Sequence, residues 1–379
     1  MRSLDIAREA CEASHPGLLK ALSEHSLSEL ERPGGPAVKL FRDHGGAGLL
    51  VPRDFGGAGA GALTAVRINR ALGAASPSLG AAVTMHHFTA GMLYSLTGSA
   101  GRLTGAQLGL LERVAGERLL MASAWAEGRS SQNILVPAVK AEPAPGGGFV
   151  VNGVKKPCSL ARSMDLLTAS VAVPGDDGES LAVLLIPADT PGISVHPFWS
   201  NPVLAAAESE EVRLEDVHVP EDLVIRTVPD DPTRLDDLQS AGFVWFVMLI
   251  SSVYTGAASA LTERVLKAGR GSVTDRAALG VQLDSAVGLL EGVARAVDAG
   301  ELNEDVVAAA LVARYAVQDH LVRVADLAVE TLGGIAWIKD PEIAYLASAV
   351  RPLAFHPPSR ASAAEPLIDY FSGEPLRLS

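Results

Sequence analysis

Near residue 120 the spacing of apolar residues changes from about 3.6 to about 2, and near residue 225 it changes back. A helix and a strand bury different faces, so a chain with that pattern must place a β unit between two helical ones. On the N-terminal side, residues 3–14 and 36–47, Leu63–Ala74, Ala81–Leu96 and Thr104–Glu117 follow helical spacing, with breaks at Pro16 and at Pro33 to Pro36. Between the two changes lie short strands beginning at Ala138, Gly148, Leu166, Ser180, Ile193 and Glu211, each bounded by Gly, Pro, Asp or Asn. Beyond Ile225 come long apolar helices over Leu235–Ala268, Arg276–Ala299, Asn303–Leu332 and Pro341–Ser348, then a shorter one over Ser362–Phe371. The expected architecture is a multidomain α+β chain: an N-terminal all-α domain over 1–119, a small β-barrel or sandwich over 120–225, and a C-terminal four-helix bundle over 226–379.

Composition narrows the function classes. With 31 Lys+Arg against 44 Asp+Glu the net charge is −13, and no basic run offers a stripe for phosphates, so nucleic acid and anionic membrane are expected not to be partners. The first residues lack the continuous apolar core of a signal peptide, and the most apolar stretch, Ala241–Ala260, contains Trp245, Tyr254, serines and threonine. It reads as a buried helix, and the chain as cytoplasmic. Two distant cysteines, Cys11 and Cys158, suit packing better than a disulfide, and no metal cage is expected. His86 and His87, adjacent on a helix, project about 100° apart and cannot share a metal in the i, i+4 manner. They read as packing or pocket residues, with a catalytic role as the alternative.

Four strings carry a likeness. Gly48–Gly59 (GLLVPRDFGGAG), Val150–Lys156 (VVNGVKK), Glu215–Pro220 (EDVHVP) and Glu330–Trp337 (ETLGGIAW) occur in the order and at the separations found in the acyl-CoA dehydrogenase family of flavoenzymes. The chain resembles that family over nearly its whole length. The resemblance implies FAD held in extended form between the β domain and the bundle. By it, Ala126–Asn133 matches the loop whose backbone meets the flavin ring, and Pro157–Cys158–Ser159 matches the segment packed against that ring, so Trp125, Ala126, Cys158 and Ser159 become cofactor-binding candidates. Gly269–Gln282 matches, with losses, a string whose arginine reaches the partner subunit's FAD. It brings in Arg270 and Gln282, and the Glu330–Trp337 turn brings in Gly333 and Gly334. Completion of that site across subunits implies a homodimer or homotetramer.

The chain departs from the family where the chemistry should be. Dehydrogenating an acyl thioester needs a carboxylate to take the α-proton. The matching position in the C-terminal segment is Pro357, and the alternative position, on the first bundle helix, is the pair Trp245–Phe246. His356, Glu127, His86 and His87 are the candidates for a relocated base. Three functions remain open at this level. One is an FAD-dependent oxidoreductase acting on an acyl thioester of CoA or an acyl carrier protein, with an electron-transfer partner. Another is a flavin-dependent monooxygenase or oxidase using reduced flavin and dioxygen, which needs no such base. The last is a non-catalytic relative. Arg129, in the flavin loop, is a further candidate to pair with a substrate carboxylate or phosphate.

Overall fold

The structure, a computed structural model, describes residues 1–99, 101–129, 133–175, 178–228 and 235–378. The N-terminal layer holds α1 (Arg2–Ser14), α2 (Leu18–Ser23), α3 (Leu27–Leu30), α4 (Ala37–Asp43), α5 (Ala62–Ala75), α6 (Pro77–Ser95) and α7 (Gly105–Gly116). Local chemistry sets their ends. Ser76 caps α6, its hydroxyl accepting from the Leu79 N–H at 3.1 Å, and Pro77 occupies the first turn, where no N–H is needed. Thr104 and Gln107 form a reciprocal capping box on α7. The short α2 and α3 fall in the stretch between Pro16 and Pro33 where the sequence showed no helical period.

The β domain is one sheet in the order β6-β7-β3-β2-β4-β5-β8, with β1 beside β4. Its strands are β1 (Met121–Ala124), β2 (Lys140–Pro143), β3 (Phe149–Cys158), β4 (Leu166–Gly175), β5 (Gly178–Pro187), β6 (Ile193–His196), β7 (Glu210–Val219) and β8 (Val224–Arg226). Two antiparallel halves, β6–β7–β3 and β4–β5–β8, are joined because β2 pairs antiparallel with β3 and touches β4 in parallel at Lys140 and Ala172. The first strand runs parallel to β4, Met121 opposite Leu166. All six strands expected from the sequence are present; β1 and β8, of four and three residues, are too short to show a period. Register shifts in β3 lie between Val151 and Gly153 and between Lys155 and Cys158, the second just before Ser159. Such irregularities bend a strand and re-aim the side chains that follow.

The bundle consists of α8 (Asp237–Ala268), α9 (Val273–Asp298), α10 (Glu304–Leu332), α11 (Gly334–Lys339), α12 (Pro341–Ala349) and α13 (Ala364–Phe371). By length and composition α8 and α9 are each apolar enough to cross a membrane, but 89% of the apolar window of α8 is buried inside the fold. It is the central helix of the core, packed against α5, α6, α9 and α10. Only 33% of the corresponding window of α9 is buried.

Glycine brings α5 and α8 together. A Cβ on Gly73 would collide with the Val253 carbonyl, and one on Gly256 with the Arg70 carbonyl. The two backbones therefore approach as closely as the absence of side chains allows. A buried carboxylate joins the three parts of the chain: Glu31 accepts from Ser76, from the Ser78 N–H and hydroxyl, and from Tyr345, whose oxygen in turn accepts from the Leu204 N–H at 3.1 Å. Burial raises the Glu31 pKa, and the donors around it oppose that rise.

Candidate active site

Two of the catalytic candidates turn out to be structural. His87 is fully buried among the N-terminal helices; its Nδ1 meets Asn69 Oδ1 at 2.9 Å, and its ring meets the edge of Phe41 at 5.5 Å. Burial holds its pKa well below the ordinary value. His86 is equally buried and uses both nitrogens, one on the Ala47 carbonyl at 2.8 Å and one accepting from the Met121 N–H at 3.1 Å. This tethers α6 to β1. Burial in the helical layer agrees with the packing reading of the pair and speaks against the catalytic assignment of His87, although its Nε2 is left without a hydrogen-bond partner among the described residues.

Glu127 is corrected for a related reason. Its carboxylate takes the Lys155 ammonium at 2.7 Å and the backbone N–H groups of Ala138 and Val139 at 3.0 to 3.1 Å. Both side chains of the pair are essentially buried. A carboxylate so engaged pins the start of β2 to β3 and is not free to accept a substrate proton. Cys158, a cofactor-binding candidate, is buried in the sheet, where desolvation raises its thiol pKa to about 12. It is a packing residue.

The remaining flavin-loop candidates follow the ends of β1 and β3. Trp125 follows β1, and its Nε1–H is buried without a hydrogen-bond partner among the described residues. The Ala126 carbonyl is taken by the Lys156 N–H at 2.7 Å. Ser159 exchanges a hydrogen bond with Ser209 at 2.8 Å. Residues 130–132 of the Ala126–Asn133 loop lie outside the described residues. Arg129 lines a cavity of about 580 Å³ together with Lys156 and Arg213. Glu211, in the same wall, pairs with both Lys156 and Arg213.

In the bundle, Arg270 and the Gly333–Gly334 turn are brought together. The exposed guanidinium donates to the Leu332 carbonyl at 2.9 Å, directly before Gly333, whose φ of +80° suits glycine. Gln282 lies on α9 with its amide oxygen held by His320 of α10 at 2.5 Å, a pairing that occupies the group expected to meet the cofactor.

His356 is the catalytic candidate that the structure places in an informative setting. Its Nε2 is 2.7 Å from the Tyr254 hydroxyl of α8, and its ring meets the edge of Phe246 at 5.6 Å, with Phe88 of α6 edge-on behind Phe246. Of the two positions at which the family's base was sought, Phe246 touches the His356 ring and Pro357 follows it in the chain. Burial, reinforced by the Arg314 charge, lowers its pKa to about 3. Tyr254 is buried with no other acceptor among the described residues, so its hydroxyl donates to Nε2 and leaves the ring proton on Nδ1. At neutral pH His356 is a neutral ring offering an N–H, not a strong base.

Phe355, 82% exposed, precedes it and lines a cavity of about 1130 Å³ between the β domain and the bundle. Phe198, Trp199, Val203, Trp337 and Pro352 supply its apolar wall; Asp326, Glu330 and Arg351 supply its charges. Lys156 lies over the Phe198 ring at 5.4 Å, which links this cavity to the smaller one.

A family model described as acyl-CoA dehydrogenase, N-terminal domain, matches residues 10–101. Across all 379 residues, and the full length of both proteins, the chain is 64% identical to an isobutylamine N-hydroxylase of Streptomyces viridifaciens. The chain belongs to the acyl-CoA dehydrogenase family. Within it the chain is an enzyme of the flavin-dependent oxidoreductase class. Among solved structures, a nitrososynthase from Micromonospora carbonacea var. africana shares the fold with a TM-score of 0.81 at 21% identity, over 97% of this chain and 96% of that one. An FAD complex of PigA does so with a TM-score of 0.77 at 18% identity, over 98% and 97%.

Tyr254 and Arg314 were missed as site residues. Each carried a signal: Arg314 is the lone cation in the apolar run Val306–Val317, and Tyr254 is a phenol within the most apolar helix. A buried polar group in such a run needs a partner, and both find theirs in the 353–358 segment.

Proposed function

We propose that the protein is a flavin-dependent N-hydroxylase of a small aliphatic primary amine. The observation that carries this reading is the 64% identity, over the full length of both chains, to an isobutylamine N-hydroxylase. The site agrees with it. A dehydrogenase acting on an acyl thioester would need a carboxylate at the reactive end, whereas Phe246, Tyr254, Pro357 and a neutral His356 stand there.

The residues present fit a flavin, and the PigA complex with FAD makes FAD the favoured form. Trp125 has a buried N–H to give, Ser159 a hydroxyl, and Arg129 and Lys156 positive charge for a pyrophosphate. When bound and reduced, the flavin supplies two electrons to dioxygen. One oxygen atom is transferred to the amine nitrogen and the other leaves as water, giving the hydroxylamine.

The chain's part is to bind, orient and keep dry. Phe88 and Phe246 place apolar rings beside His356, a surface that favours a short alkyl chain over bulk water. His356 Nδ1–H provides a fixed neutral donor, its tautomer set by Tyr254. An exposed Arg270 at the Gly333 turn supports a site completed by a second copy of the chain, and we include a homodimer or homotetramer in the proposal.

The test is to load the purified protein with FAD, supply reduced flavin and oxygen with isobutylamine, and look for a product one oxygen atom heavier by mass spectrometry. Appearance of the hydroxylamine supports the reading. Flavin bleaching by an acyl-CoA without oxygen, with no hydroxylamine formed, overturns it.

A further inference from the structure

Arg314 of α10 is buried, as are its helix neighbours Ala310, Leu311, Ala313 and Val317. Its guanidinium donates to the carbonyls of Leu353 at 3.3 Å and Pro358 at 2.9 Å, and to that of His356. No carboxylate pairs with it among the described residues, and its Nε–H has no partner there. Buried cations are ordinarily matched by an anion, because carbonyl dipoles alone leave the charge uncancelled. Here the uncancelled charge faces His356 from α10. From α8, Tyr254 gives it a hydrogen bond and Phe246 a ring contact. In the 351–360 segment Arg351 is taken by Asp326, Arg360 by Asp319, and Tyr315 carries the Arg360 guanidinium over its ring. The carboxylates along α10 lie elsewhere: Asp319 is held by Arg360, and Asp326 and Glu330 are on the exposed wall of the larger cavity.

We propose that Arg314 is a positioning residue that makes the His356 end of the site accept its amine only as the free base. The inference rests on the amine reading and deepens it. A nitrogen takes up an oxygen atom through its lone pair, which an ammonium lacks. An alkylammonium has a pKa near that of lysine, about 10.4, so roughly one molecule in a few thousand is neutral at pH 7. A carboxylate at the reactive end would hold the unreactive form. A fixed positive charge repels it, and the same guanidinium fixes the carbonyls of the segment that presents His356.

The test uses the FAD-loaded, oxidised protein and needs no turnover. Isobutylamine binding is measured by calorimetry at pH 7, 8 and 9, and the His356 imidazole is titrated by nitrogen NMR in the wild type, Arg314→Met and Arg314→Lys. The expected affinity rises about tenfold per pH unit, following the free-base fraction. His356 should stay neutral down to pH 5 in the wild type and in Arg314→Lys, and take up its proton at least one pH unit higher in Arg314→Met. An affinity that is flat from pH 7 to 9 means the ammonium is bound, at Asp326 or Glu330, and overturns the inference while leaving the amine reading intact. Equal His356 titrations in wild type and Arg314→Met also overturn it. If Arg314→Met does not fold, the wild-type titration decides: protonation of His356 above pH 6 overturns the proposal. Absence of amine binding at every pH overturns both readings.

Discussion

At the scale of single residues, burial decided which candidates kept a chemical role. Histidines and carboxylates were visible in the sequence as types, but their partners come from segments far away: Asn69 for His87, Ala138 and Val139 for Glu127, Tyr254 for His356. Nothing in the local spacing states which nitrogen faces what. Two predictions belong here. Lys155→Met leaves Glu127 buried without its cation and should cost about 3–5 kcal/mol in chemical denaturation. Tyr254→Phe keeps the ring and removes the donor to His356. It should cost about 1–2 kcal/mol in stability, and it should lower kcat more than it raises KM for hydroxylamine formation. An unchanged kcat in that variant would sink the role given to the Tyr254–His356 pair.

At the scale of elements, the long helices and six of the eight described strands were legible, because a longer run presents a repeated face. The contact between α5 and α8 was not. Gly73 and Gly256 look alike in the sequence to the glycines of α9, yet only the former pair sits against a neighbouring backbone. The contrast is measurable. Gly256→Ala should lose on the order of 1–3 kcal/mol or more, because the added methyl meets the Arg70 carbonyl and rigid helices cannot both yield. Gly288→Ala, with open space around its Cβ, should gain about 0.5–1 kcal/mol by removing a flexible residue from the interior of α9. Thermal melts of the two variants should move in opposite directions.

For the whole molecule, three histidines give a shared response to acid. His86, with a pKa lowered to about 4, His356, lowered to about 3, and His87 are all held neutral by burial. The unfolded chain binds protons on these rings below about pH 6.5, and the fold refuses them. Stability is therefore constant above that pH and falls as pH drops toward the folded-state values, by about 1 kcal/mol per histidine between pH 7 and 5.5. Urea denaturation at those two pH values checks the sum, to which His15, its pKa also lowered by burial, adds; His86→Gln should flatten the dependence by less than a third. Below about pH 4.5 Glu263 adds to the loss. Its carboxylate, bound by Arg8 and the N-terminal amine, has a lowered pKa and contributes stability that disappears on protonation. The three-part layout could be read from the hydrophobic period alone. What could not be read was Glu31, whose partners in α6 and α12 and, through Tyr345, at Leu204 tie all three parts into one core.

The close approach of α5 and α8 also bears on how the chain is made. Gly73 and Val253 touch, yet the whole β domain is synthesised between them. At ribosomal rates of about 5–20 residues per second, the glycine face of α5 waits roughly 10 to 40 seconds for the helix that covers it. During that interval the nascent N-terminal layer has an open seam. The early-emerging β domain, whose strand pairs lie wholly within it, can close first, and the arrival of α8 then acts as the clasp that commits both ends of the chain to a single body.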